Sequence, residues 1–336
     1  MKIAVIGCGK RFKDVYYKIL KRMKCEIFLW NRTQEKSQQF CGENNCNRIS
    51  DLSEIEIIKP DLIICFVPPA AQFEIISKIS YRAAPFLLET PALDNKIFSF
   101  DGKVGVLEQW PKLPLEQFKE MLYKTKFMSR PYMVMNDGRS FDYHAISQLR
   151  TYTCLPDPVI IKGSMRSFEN SGVFDKNSKL NTDSHDWTLG QIEMSNNSIL
   201  LYNFAYNCKN LLSIPVQFLR AVSTDGSILT GRMKEIGNDY EIIDVRIVDN
   251  DTKIVEICQV EVDRKDNVTR SIGVKDRKWV NPFADLDFDD QQTAIASLIM
   301  DSVDNRFYSY KDAFVDQVCI NAIKNSALTH QTFRLK

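Results

Sequence analysis

The first thirty residues constrain this chain more than any other stretch. Lys2-Ile3-Ala4-Val5-Ile6 is a short apolar run rich in β-branched residues, and Gly7-Cys8-Gly9 follows it at once. Residues 11–24 then have the length and polar/apolar mix of a helix. A second apolar run, Glu26-Ile27-Phe28-Leu29-Trp30, ends at Asn31-Arg32-Thr33. Strand, glycine turn, helix and strand in that order are the opening of a dinucleotide-binding βαβ unit. Glycine serves there because the backbone can approach a pyrophosphate, whose charge the helix N-terminus receives. Phe12 stands where the usual fingerprint has its third glycine. A G-x-G alone also marks plain tight turns; its place between a strand and a helix is what favours the nucleotide reading.

The next hundred residues repeat the alternation. Asp61-Leu62-Ile63-Ile64-Cys65-Phe66-Val67 is a continuous apolar run of strand length, closed by Pro68-Pro69. Pro85-Phe86-Leu87-Leu88 ends at Glu89-Thr90-Pro91, and Lys103-Val104-Gly105-Val106-Leu107 ends at Glu108-Gln109-Trp110. Such runs are the pattern of parallel strands buried on both faces. Helical segments at 34–40, 51–58 and 70–80 separate them. The alternation predicts an α/β fold: an N-terminal doubly wound parallel sheet of the Rossmann type over residues 1–125. Ligands of such sheets sit at the carboxyl ends of the strands. Asn31, Arg32, Pro68, Glu89, Thr90, Glu108 and Gln109 are therefore candidate site residues by topology.

From residue 158 to about 275 the pattern becomes one of alternating strands, at 159–168, 187–194, 198–207, 214–222, 241–248 and 254–262. Thr224-Asp225-Gly226-Ser227 and Asp249-Asn250-Asp251 read as hairpin turns. The polar stretch 168–185 reads as a mobile loop, and two helices at 290–303 and 311–328 close the chain. The second domain, 126–336, is thus expected to be α/β with a large, mainly antiparallel open sheet. An open sheet needs its exposed face covered, which points to a homodimer or homotetramer.

Composition excludes more than it identifies. The formal charge of +1 gives no broad electrostatic reason to expect nucleic acid or an anionic membrane. No apolar run approaches the roughly 20 residues of a spanning helix, and the chain goes straight into a strand with no signal peptide. Nine cysteines without C-x-x-C spacing read as reduced thiols of a cytoplasmic protein. Cys41 and Cys46 are the closest pair, but no histidine or second pair completes a metal site.

Only three histidines are present: His144, His185 and His330. His144 follows Asp142-Tyr143 at the start of a helical segment whose Ile146, Leu149 and Tyr152 can face a core. Three proton-transfer side chains in a row suit general acid/base work, because histidine titrates nearest neutral pH. The same group also reads as an Asp142 helix cap beside a structural histidine. His185 and His330 lie in a polar loop and a tail.

With these parts in place the chain resembles the glucose–fructose oxidoreductase/inositol dehydrogenase/MocA family of nicotinamide-dependent enzymes. The resemblance rests on Gly7-Cys8-Gly9, the strand closed by Pro68-Pro69, Glu89-Thr90-Pro91, the histidine heading a helix, and Asn325-Ser326-Ala327 in the closing helix. It implies a Rossmann domain joined to an α/β domain whose open sheet makes subunit contacts. It also implies hydride transfer between nicotinamide and a small substrate, commonly a sugar or cyclitol.

The chain departs from the family where the family reads Glu-Lys-Pro, since Thr90 replaces the lysine that helps hold the reacting hydroxyl or carbonyl. Ser147 stands where an aspartate often follows the histidine. A substrate with its own proton-accepting nitrogen has less need of that lysine. Thiazolinyl imine reductases belong to the wider group, so reduction of C=N is an option beside C=O.

An acidic residue at the end of the second strand would favour NAD(H). Asn31-Arg32-Thr33 offers a guanidinium and a hydroxyl instead, which fit a ribose phosphate and favour NADP(H) over NAD(H).

The reading is an NADP(H)-dependent reductase of a small polar C=O or C=N substrate. Gly7, Gly9, Lys10 and Arg11 receive the pyrophosphate; Asn31, Arg32 and Thr33 the adenosine ribose phosphate; Pro68 and Glu89 flank the nicotinamide ribose. His144 is the proton donor, assisted by Tyr143 and Asp142, with Thr90 in the reduced role of the lysine. Glu108, Gln109 and Trp110 line the substrate pocket. The competing reading is a catalytically inactive Rossmann-fold nucleotide sensor or assembly protein.

Overall fold

The structure is a computed structural model. It describes the chain apart from residues 80–83, 101–102, 125–128, 138–139, 169–172, 175–179, 182–184, 206–217, 224–227, 233–243, 250–253, 263–269, 273–277 and 336. The chain forms two compact units. One comprises Met1–Pro114 with Pro282–Gln317, the other Leu115–Asn281 with Val318–Lys336.

The first unit is built on a six-stranded sheet of β1 (Lys2–Ile6), β2 (Glu26–Trp30), β3 (Asn47–Arg48), β4 (Leu62–Cys65), β5 (Phe86–Leu88) and β6 (Val104–Val106). Every pairing is parallel and the order is β3-β2-β1-β4-β5-β6. That is the doubly wound order with its reversal between β1 and β4. The β-branched runs alternate between two cores. Ile3, Val5, Leu62 and Ile64 face Phe12, Ile19, Leu20 and Phe40. Ala4, Ile6, Ile63 and Cys65 face Ile55, Ile75 and Ile76 on the other side.

Phe12, at the missing third glycine, is fully buried and packs on Phe40 and Phe66 at ring distances of 5.5 and 5.6 Å. A small residue normally lets the first helix lie close to the sheet. Here the helix widens instead: over Phe12–Tyr16 its hydrogen bonds lengthen to i→i+5, the Tyr17 N–H reaching the Phe12 carbonyl. The added girth accommodates the ring.

The helix Asp290–Val303 also covers this sheet, placing Ile295, Leu298 and Ile299 in the core with Ile3 and Val5. The sequence reading divides the chain once, near residue 125, and leaves this helix in the second domain. An amphipathic stripe states that a helix covers something, not which sheet.

The second unit carries a seven-stranded sheet among the described residues. Its order is Ile228–Arg232, Phe218–Ser223, Pro131–Asp137, Ile199–Ala205, His185–Met194, Pro158–Phe168, Phe333–Arg334. All pairings are antiparallel except that of Pro131–Asp137 with Ile199–Ala205. Asp244–Asp249, Ile254–Val262, Arg270–Ile272 and Lys278–Val280 form a smaller antiparallel sheet. Each expected strand overlaps a strand of the described residues; positions 206–207, 214–217 and 241–243 of those expectations lie outside the described residues. Both expected hairpin turns lie wholly or partly outside the described residues. Within the expected loop 168–185, Val173–Phe174 and Leu180–Asn181 pair as two short strands.

The later part of the helix Tyr310–Thr329, from Val318 on, backs the large sheet where glycines admit it, while Tyr310 and Ala313 belong to the core of the first unit. A Cβ on Gly163 would lie 2.1 Å from the Ile323 carbonyl oxygen, and one on Gly190 2.5 Å from its side chain. The Gly163 N–H donates to Ser326 Oγ at 2.9 Å, which ties Asn325-Ser326-Ala327 to the sheet.

Candidate active site

In the first unit the site is a turn held by its own neighbours. Gly7 has φ +103, a conformation open to glycine, and its N–H bonds the Trp30 carbonyl at 2.8 Å. A Cβ there would stand 3.1 Å from the Phe66 carbonyl oxygen. The next N–H, of Cys8, donates to Asn31 Oδ1 at 2.9 Å, while Asn31 Nδ2 donates to the Thr33 carbonyl at 2.8 Å. Asn31 is thus engaged with the chain, joining the glycine turn to the end of β2. Gly9, Lys10 and Arg11 are exposed, and a Cβ on Gly9 would meet nothing within 4 Å. Open space over a glycine turn at a helix start fits the pyrophosphate of a dinucleotide.

The end of β2 carries more positive charge than the local sequence suggests. Arg32 and Thr33 are exposed. Arg48, on β3, donates from Nε and a terminal nitrogen to Gln34 Oε1 at 3.2 and 3.1 Å, and Gln34 Nε2 donates to the Asn31 carbonyl at 3.0 Å. Arg48 is a residue the sequence reading missed, because only the parallel pairing of β3 with β2 brings it beside Gln34.

Farther along the carboxyl edge, Arg11 Nε lies 3.3 Å from Glu89 Oε1. Pro68 caps the helix Pro69–Lys78. On that helix Gln72, fully buried, donates to the Glu89 carbonyl at 2.7 Å and so fixes the backbone of this strand end. Thr90 is buried at 8% exposure before a cis bond to Pro91. The buried Glu108 carboxylate accepts the Trp110 N–H at 3.2 Å, and the buried side-chain oxygen of Gln109 makes no hydrogen bond within the described chain.

In the second unit Asp142, Tyr143 and His144 begin the helix Asp142–Tyr152. The cap position is Phe141, with no side-chain cap bond. Asp142 has φ +48, unusual for a residue with a side chain. Lys324 Nζ donates to the Asp142 carboxylate at 2.7 Å, and the Asp142 N–H donates to the Tyr202 hydroxyl at 3.3 Å. His144 is 7% exposed, with its ring 4.2 Å from that of Tyr143 and 5.3 Å edge-on to that of Phe141. Its carbonyl accepts from Ser147 Oγ at 2.9 Å, so Ser147 serves the helix backbone. Lys324 is the second residue the sequence reading missed, since 182 positions separate it from Asp142.

Gly7, Cys8 and Asn31 therefore form one group, Arg11 and Glu89 another, and Asp142, Tyr143, His144 and Lys324 a third in the other unit. Among the described residues no helix is long and apolar enough to cross a membrane.

These features define a Rossmann sheet joined in one chain to a mixed open sheet, the architecture of the inositol dehydrogenase type. The myo-inositol dehydrogenase of Lactobacillus casei, solved with NAD(H) and myo-inositol, superposes with a TM-score of 0.61 at 12% identity, covering 100% of this chain and 97% of that one. An NAD binding oxidoreductase from Klebsiella pneumoniae gives 0.65 at 10%, covering 100% and 99%. A myo-inositol dehydrogenase from Corynebacterium glutamicum gives 0.59 at 15%, covering 100% and 99%. The expected fold is thus found in known dehydrogenases over the full chain. No protein-family model and no curated protein matches the chain in sequence.

Proposed function

We propose that this protein is an NADP(H)-dependent oxidoreductase that reduces a small polar C=O or C=N substrate. The observation that carries the reading is the glycine turn at the end of β1, held open by the Asn31–Cys8 bond in a fold shared with NAD-binding dehydrogenases. Gly9, Lys10 and Arg11 take the pyrophosphate. Arg32, with Thr33 and the neighbouring Arg48, takes the 2′-phosphate of the adenosine ribose, because a guanidinium fits phosphate with paired hydrogen bonds. Pro68 and Glu89 flank the nicotinamide ribose, and Glu108, Gln109 and Trp110 receive the substrate.

Bound reduced nicotinamide supplies the hydride. His144 holds the proton that the reduced oxygen or nitrogen takes up. Tyr143 packs against its ring, and Asp142, neutralised by Lys324, sets the helix start from which both side chains project. Thr90 can hydrogen-bond a substrate oxygen but brings no charge, which favours a substrate that carries its own basic atom. The open face of the large sheet bears a depression of ≈ 420 Å³ lined by Met135, Lys162, Leu189, Gln191 and Leu201. A second copy of the chain covers this face in the proposed homo-oligomer.

Fluorescence titration with NADPH and NADH, followed by a panel of keto-sugars, keto acids and cyclic imines, tests the reading. Preferential NADPH binding with turnover of one substrate class is expected. Binding without consumption of any substrate would favour a nucleotide sensor, and no binding would overturn the proposal.

A further inference from the structure

The first unit contains a thiol pair for which the proposed reaction has no use. Cys41, in the helix Gln34–Glu43, and Cys46, just before β3, have their sulfurs 2.6 Å apart, with Cys46 donating to Cys41. Both are part-buried against the core cluster that contains Phe40 and Tyr17, rather than sealed within it. We propose that Cys41 and Cys46 form a reversible dithiol–disulfide couple that exchanges with low-molecular-weight disulfides, Cys41 attacking and Cys46 resolving.

The chemistry follows from the asymmetry of the contact. A thiolate, not a thiol, attacks a disulfide. The hydrogen bond from Cys46 holds the Cys41 thiol below its ordinary value, the Arg48 guanidinium adding to this against the effect of burial. Cys46, which keeps the shared proton, is pushed up by the same bond. Elsewhere burial raises the thiols, to about 11 at Cys25 and about 12 at Cys65, and these stay protonated near neutral pH.

In the first step the Cys41 thiolate bonds to one sulfur of the small disulfide, whose other half leaves as thiolate and is protonated. Cys46 then loses its proton and bonds to the Cys41 sulfur, expelling the second half, which is protonated in turn. Two protein thiols are oxidised to one disulfide, and one small disulfide is reduced to two thiols. The sulfurs already touch, so the bond of about 2.05 Å needs only a small approach. It would staple the end of the helix to the entry of β3, two residues before Arg48.

The test equilibrates the full chain with glutathione and glutathione disulfide at graded ratios, alkylates free thiols and maps tryptic peptides. Both cysteines fall in one peptide, 37–48, between Lys36 and Arg48. In the wild type this peptide is expected to escape alkylation and to be two hydrogens lighter, reverting with dithiothreitol. Cys46→Ser should trap glutathione on Cys41, whereas Cys41→Ser should leave Cys46 alkylatable. Peptide 37–48 alkylated at every ratio, while the exposed Cys154 takes up glutathione, would overturn the couple. Equal trapping in the two variants would overturn the assignment of Cys41 as the attacking thiol. The wild-type arm decides the first point even if a variant folds poorly, and none of these outcomes depends on nucleotide binding.

Discussion

The side-chain oxygen of Asn31 accepts the backbone N–H of Cys8 at 2.9 Å, so the residue that follows β2 shapes the turn that follows β1. Asn31→Ala removes that acceptor and frees the turn. A neutral hydrogen bond of this kind contributes about 0.5–1.5 kcal/mol, and a modest fall in the urea midpoint is expected. Because the turn is proposed to take the pyrophosphate shared by both cofactors, affinity for NADPH and NADH should fall by the same factor. A loss confined to NADPH would show that Asn31 contacts the ribose phosphate instead.

Arg32 and Arg48 carry the opposite prediction. Each carries a guanidinium near the end of the sheet to which the adenosine ribose is assigned in the proposed function. Arg32→Ala should weaken NADPH binding far more than NADH binding, by a charge-assisted contact of about 1.5–3 kcal/mol, or roughly 10- to 150-fold. Arg48→Ala should do the same more weakly, because its nitrogens also hold Gln34. Isothermal titration of both cofactors against each variant measures the difference; equal losses would remove the phosphate assignment.

These two predictions divide along the line between what the sequence discloses and what it hides. β1, β2, β4 and the turn were legible because parallel strands buried on both faces must be uninterrupted apolar runs, and glycine follows where the backbone turns sharply. The Asp290–Val303 helix was legible as a helix, even to its ends, but not as a cover for the first sheet. Pro131–Asp137 was missed: its Tyr132-Met133-Val134-Met135-Asn136 has no clean alternation, and its parallel partner lies more than sixty positions away. Lys324 and Arg48 were missed for a related reason. Each acts through a contact that only tertiary pairing creates, and neither has a local pattern to mark it. Phe12 was seen as a departure from the motif, while its remedy, a widened helical turn, is a backbone adjustment no side-chain pattern records.

His144 and Lys324 test the second unit. His144→Ala should slow turnover by about 10²- to 10⁴-fold, the range of a general acid, with NADPH affinity unchanged. Unchanged turnover would remove it from the mechanism. Lys324→Met removes the ammonium from the Asp142 carboxylate at a position of φ +48. The pair is partly exposed, so the stability cost should stay below about 1 kcal/mol. Turnover should nonetheless fall by about 10- to 100-fold through misplacement of the helix start, and Lys324→Arg should restore part of it. A stability loss with unaltered turnover would make the pair purely structural.

Gly7 and Gly9 separate folding from binding within three residues. At Gly7 a methyl group would press on the Phe66 carbonyl and force a side chain into φ +103. Gly7→Ala is expected to cost about 1–3 kcal/mol of stability, the range of such backbone strain, together with nucleotide binding. At Gly9 the same methyl group meets no protein atom within 4 Å, so Gly9→Ala should fold with an unchanged thermal midpoint. The space it enters is the space assigned to the pyrophosphate, and affinity for both cofactors should drop at least tenfold, the equivalent of about 1.4 kcal/mol. Thermal melting and cofactor titration on the two variants read the two effects independently. A Gly9→Ala protein that melts as the wild type and binds either cofactor as tightly would place the pyrophosphate elsewhere, and with it the reason this chain begins as it does.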